Sequence, residues 1–65
     1  MTLIINGEKV ELSLQTVADI VAHYKLDENL VVTEVDGVIV NLEDRQKTSL
    51  QEGMKVEIVQ FVGGG

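Results

Sequence analysis

The chain has no cysteine. That excludes disulfides, thiolate metal sites and cysteine nucleophiles, so the fold must hold without a covalent staple and any sulfur chemistry must use a group other than a side-chain thiol. Cations are scarce as well: five Lys and Arg stand against eleven Asp and Glu, giving a formal charge of −6 and a pI near 4.4. This is the wrong sign for a phosphate backbone and argues against nucleic acid as a partner. Apolar runs stop at about three residues, as in Leu3-Ile4-Ile5, Leu30-Val31-Val32 and Val38-Ile39-Val40, far short of the roughly 20 that a membrane span needs. No membrane partner is expected. The single histidine, His23, has neither an HExxH motif nor a cysteine pair around it, so zinc has no ligand set and no metal site is expected. The first residues carry no basic segment or cleavage motif, which makes the cytoplasm the default expectation.

What is present is enough for one small folded domain: 65 residues, of which 45% are apolar, with Val and Ile making up 16. That composition favours a sheet. Asn6-Gly7 and Asp36-Gly37 both suit the positive φ of a two-residue type I′ turn. They predict hairpins with strands near 2–6 and 8–12, and again over Val31–Val35 and Val38–Val40. Between the hairpins, Val17, Ile20, Val21 and Tyr24 follow the i, i+3, i+4, i+7 spacing of a helix over 17–25, with Thr16 as N-cap and Asp19 at the capping-box position. Residues 41–49 read as a loop with one 3₁₀ turn. Met54–Val62 read as a last strand, with Val56 and Ile58 turned to one face and Glu57, Val59 and Phe61 to the other. The predicted class is α+β, one helix covering one face of a sheet whose other face meets solvent.

Internal catalysis has no candidate. His23 falls on the polar side of the helix with only Asp19 one turn back, which reads as a solvated histidine rather than a general base. The acids are scattered over turns and strand faces, as expected for solubility, and Gly7, Gly37 and Gly53 occupy turns without building a phosphate loop. Attention therefore falls on the end of the sequence, where Phe61-Val62 run into Gly63-Gly64-Gly65. Residues without side chains make a thin, extendable carrier for an α-carboxylate, able to enter a narrow slot. The carboxylate itself is inert until a partner activates it, most simply as an acyl adenylate. Val59 and Phe61 would place an apolar docking patch beside this reactive end.

The element order, Asn6-Gly7 in the first hairpin, Leu50-Gln51-Glu52-Gly53 before the last strand, and the run Val56-Glu57-Ile58-Val59-Gln60-Phe61-Val62-Gly63-Gly64-Gly65 resemble the sulfur carrier proteins of thiamine biosynthesis over the whole chain. The resemblance implies a ubiquitin-like β-grasp fold, a mixed sheet of four to five strands packed on one main helix, with 1–62 as the domain and 63–65 as a flexible glycine tail. It also implies a carrier rather than an enzyme, binding no cofactor of its own. Gly65 would be adenylated by a ThiF-like adenylyltransferase that uses ATP and Mg²⁺, and then converted to a thiocarboxylate with sulfur from a cysteine desulfurase or similar donor. A ThiG-like thiazole synthase would take up that sulfur. Gly63 and Gly64 would form the tail, and Val59, Phe61 and Val62 would contact the partners. Two alternatives remain at this level: a sulfur carrier of the molybdopterin-synthase small-subunit type, and a ubiquitin-like module that binds proteins non-covalently with inert glycines.

Overall fold

The computed structural model describes residues 1–61. Val62 and the expected tail of Gly63, Gly64 and Gly65 lie outside the described residues. The elements run β1 (Thr2–Ile5), β2 (Glu8–Glu11), α1 (Val17–His23), β3 (Val31–Val35), β4 (Val38–Val40), a 3₁₀ helix η1 (Leu42–Lys47) and β5 (Lys55–Gln60). They build a five-stranded sheet in the order β2-β1-β5-β3-β4. β1 and β5 are parallel, and every other pairing is antiparallel. This mixed sheet with one helix has the α+β, ubiquitin-like β-grasp architecture. No helix among the described residues is long and apolar enough to cross a membrane.

Both hairpin turns form as their sequences predict. Asn6 and Gly7 have φ of 50° and 82°, and Asp36 and Gly37 have 49° and 85°, the paired positive values that a type I′ turn requires. The helix start is equally local: Thr16 Oγ1 accepts from Asp19 N at 3.3 Å, and Asp19 Oδ2 accepts from Thr16 N at 2.9 Å and Gln15 N at 3.1 Å. Those backbone donors, Thr16 first and then Gln15, hold the Asp19 carboxyl below the ordinary aspartate range.

Once capped, α1 buries Val17, Ile20 and Val21 against Leu3 and Ile5 of β1, Val31 of β3, Val56 and Ile58 of β5, and Leu50. At about 1.5–3 kcal/mol for each large aliphatic side chain removed from water, this shared core is the main source of stability.

The helix stops at His23 rather than at residue 25. Tyr24 becomes the C-cap and is 42% exposed, so it leaves the apolar stripe on which its spacing had placed it. The reason lies in the next two residues. Lys25 N donates to Ala22 O and Leu26 N to Val21 O, the paired bonds of a Schellman motif, with Leu26 turned back onto the core. Such a motif needs a left-handed residue, and Lys25 supplies it at φ 56° although glycine would do so without a Cβ penalty. Lys25→Gly is therefore expected to stabilise the fold by about 0.5–1 kcal/mol, raising the melting temperature by a few degrees. A melting temperature that falls instead would show that the lysine stem makes contacts worth more than the relieved strain.

In residues 41–49 the expected 3₁₀ turn forms and extends to six residues. Most of the segment is η1, and inside it Arg45 is 5% exposed. Its Nε donates to Thr33 Oγ1 at 3.1 Å, Nη1 to Glu28 O at 2.8 Å and Nη2 to Val31 O at 2.7 Å, while the Thr33 hydroxyl donates onward to Val40 O at 2.8 Å. A segment whose sequence reads as a polar loop thus carries the buried polar pin of the domain. η1 is tied in turn to the start of α1, since Val17 N donates to Thr48 O and Leu50 N to Gln15 O.

Candidate functional site

The strand that leads to the expected reactive end is the central one. β5 has β1 on one side and β3 on the other. Its register with β3 pairs Val31 with Gln60, Val32 with Val59, Thr33 with Ile58, Glu34 with Glu57 and Val35 with Val56. The ladder continues one step past the strand, because Phe61 N donates to Leu30 O at 2.7 Å. Leu30 is itself held in a turn by its own N–H to Asp27 O, and Arg45 grips the carbonyls on either side of it, at Glu28 and Val31. The root of the tail is therefore anchored through a chain of contacts that reaches the buried guanidinium.

The β1 side is shorter. β1 pairs with β5 only at Ile4–Lys55 and Ile5–Val56, after which the Asn6 side chain takes over. Its Oδ1 accepts from Ile58 N at 2.8 Å and its Nδ2 donates to Ile58 O at 3.2 Å. This amide does the work of one more strand residue, in addition to the turn role legible in the sequence. Beyond it lies a cleft lined by Ile5, Asn6, Glu8, Tyr24, Leu26, Ile58 and Gln60, on the helix side of the sheet.

The opposite face of the sheet is open to solvent. Val56 and Ile58 are buried under α1, while Val59 and Phe61 are 50% and 57% exposed on the other face, as the alternation predicts. Residues that the sequence did not single out join them there. Leu30 and Ile39 are exposed, Val32 lies across from Val59, and Glu34 lies across from Glu57. Ile39 sits at the β4 edge opposite Glu34. Period-2 alternation in β3 could have indicated that Val32 and Glu34 share a face, but only the register sets them beside β5.

His23 is exposed, with its ring edge to face against Tyr24 at 5.1 Å between ring centroids. Several acids bond to backbone rather than only solvating the surface. Glu52 accepts from Thr2 N at 3.0 and 3.1 Å, Asp36 from Lys55 N at 3.2 Å and Asp27 from Asn29 N at 2.9 Å. Glu11 accepts from the Thr2 hydroxyl, and this bond, helped by the nearby terminal ammonium, lowers its carboxyl from the ordinary range. Among the described residues no three His, Asp or Glu side chains converge on a point that could hold a metal ion.

Comparison with known proteins agrees with this geometry. The sequence model of the ThiS family matches residues 3–65. The sulfur carrier protein ThiS of Bacillus subtilis (strain 168) is 34% identical over 63 residues, covering 94% of this chain and 96% of the relative. The crystal structure of the thiamine biosynthesis protein ThiS from Geobacter metallireducens superposes with a TM-score of 0.82 at 26% identity over the whole of both chains. A solution structure of a thiamine biosynthesis protein from the same organism gives 0.82 at 28% identity, covering all of this chain and 88% of that one. With a mixed five-stranded sheet and one α-helix among the described residues, and a family model that matches residues 3–65, the chain belongs to the ThiS family, the sulfur carriers of thiamine biosynthesis.

Proposed function

We propose that Gly65 carries the reactive group: a ThiF-like adenylyltransferase adenylates its α-carboxylate, a sulfur donor converts it to a thiocarboxylate, and a ThiG-like thiazole synthase receives the sulfur. The observation that carries this reading is the family match, which runs through residue 65, on a chain without cysteine. In the first step a carboxylate oxygen attacks the α-phosphorus of ATP and pyrophosphate leaves. In the second a hydrosulfide equivalent attacks the acyl carbon and AMP leaves, so sulfur replaces oxygen with no change of oxidation state at carbon. ATP and Mg²⁺ belong to the activating partner, and the carrier contributes only the acyl group and the surface that presents it. The decisive experiment is intact mass spectrometry after incubation with ATP, sulfide and the cognate adenylyltransferase. The expected product has the mass of sulfur substituted for oxygen at Gly65, and an unchanged mass under conditions that thiocarboxylate a known carrier would overturn the proposal.

Docking falls to Val59 and Phe61, with Val62 next along the chain. Ordering a glycine tail in a partner's slot costs roughly 1–2 kcal/mol per residue, and contacts made by the rigid body must offset it. Phe61→Ala is expected to weaken binding to the adenylyltransferase by more than about 1 kcal/mol while leaving the melting temperature within a few degrees, because an exposed aromatic contributes little to the core. Equal losses in a binding titration and a thermal melt would place Phe61 in the fold rather than at the interface.

A further inference from the structure

Along β5 the open face of the sheet changes character in steps. Lys9, Ile4 and Lys55 form one row through the registers Ile4–Lys9 and Ile4–Lys55, followed by Glu57, Glu34 and Ile39, then Val59 with Val32, and finally Phe61 with Leu30. The second row is unusual in energetic terms. Glu34 and Glu57 lie directly opposite each other on neighbouring central strands, where side chains stand roughly 5 Å apart at Cβ and like charges repel. The ion pair among the described residues joins the Met1 ammonium to Glu11, elsewhere on the sheet, and neither Glu34 nor Glu57 pairs with a lysine or arginine. Neither carboxylate is matched by a cation of the fold, and both stand on a chain whose net charge is −6.

We infer that this face docks on a protein surface that places an arginine between Glu34 and Glu57, with apolar side chains against Val59, Phe61 and Leu30. The inference rests on the docking role proposed above and specifies the chemistry of the partner. Charge complementarity selects a cation, and the fork of a guanidinium can bridge two carboxylates where an ammonium meets only one well. The adjoining apolar rows exclude water from one side of that contact, which strengthens it. Lys55, one row away on β5, disfavours a partner that is basic throughout.

A group kept for binding at a cost to the fold has a signature with two opposite signs. Glu34→Gln and Glu57→Gln are each expected to raise the melting temperature of the free carrier by roughly 2–4 °C. Each should weaken binding to the cognate ThiF-like adenylyltransferase about tenfold or more in low-salt calorimetry. The difference from wild type should shrink as salt is raised. Glutamine variants that bind within twofold of wild type, while Phe61→Ala loses affinity, would overturn the arginine seat and leave the docking face standing. If Phe61→Ala binds normally as well, the docking reading itself falls. Glutamine variants that lose affinity but melt lower than wild type would show the carboxylates to be structural, and would also overturn the inference.

Discussion

Deleting Gly65 is expected to reduce adenylation by the cognate ThiF-like enzyme by roughly 100-fold or more, with the fold intact. One residue withdraws the terminal carboxylate by up to ~3.5 Å, about the whole separation of reacting atoms in a near-attack geometry, where a 1 Å misplacement already costs on the order of 100-fold. The body cannot advance to compensate, because the root of the tail is fixed. Phe61 N is bonded to Leu30 O, and β5 is hydrogen-bonded to a strand on each side. Among the described residues the buried cluster runs from Leu3 to Ile58, on the elements that make the sheet and helix. Circular dichroism and the melting temperature should therefore match wild type while ATP–pyrophosphate exchange collapses. Exchange at the wild-type rate by the truncated protein would remove Gly65 from the chemistry.

How much of this was legible beforehand follows from the range of the interactions concerned. Asn6-Gly7, Asp36-Gly37 and Thr16 with Asp19 were legible because each signal and its hydrogen bonds lie within a few residues of each other. The outward turn of Val59 and Phe61 was legible because strand alternation has a strict period of two. The end of α1 was not, because Tyr24 fits the helical spacing and the left-handed position is held by Lys25, where glycine is the usual signal. The facing of Glu34 and Glu57 depends on the antiparallel register of β3 and β5, and strand composition alone does not set a register. Asn6 showed its turn role but not its bonds to Ile58, 52 residues away. Arg45 was the least legible of all. Its acceptors are two backbone carbonyls and a threonine hydroxyl, 12 to 17 residues distant, and carbonyls leave no mark in a sequence.

That hidden residue carries the second large effect. Arg45→Met is expected to destabilise the domain by about 3 kcal/mol, because it strips the donor from Glu28 O and Val31 O and removes the Nε–H that Thr33 Oγ1 accepts. Replacing a whole buried ion pair by hydrophobes is often neutral, since both charged partners leave together. Here the partners are main-chain carbonyls that no side-chain substitution removes, so their desolvation cost remains. Against a total of about 5–15 kcal/mol for a typical domain, the loss is large, and the melting temperature should fall by roughly 12–24 °C. Arg45→Lys should recover only part of it, because a single ammonium cannot reproduce the planar spread of three donors to three acceptors. The damage should also be directional. Glu28 and Val31 flank Leu30, whose carbonyl holds the Phe61 amide, so amide exchange at Phe61 should accelerate in Arg45→Lys by more than the global loss of stability accounts for. If Arg45→Met melts within about 3 °C of wild type, water satisfies those carbonyls and the guanidinium is not the pin. If exchange at Phe61 rises only in step with the global change, the link from Arg45 to the root of the tail is absent.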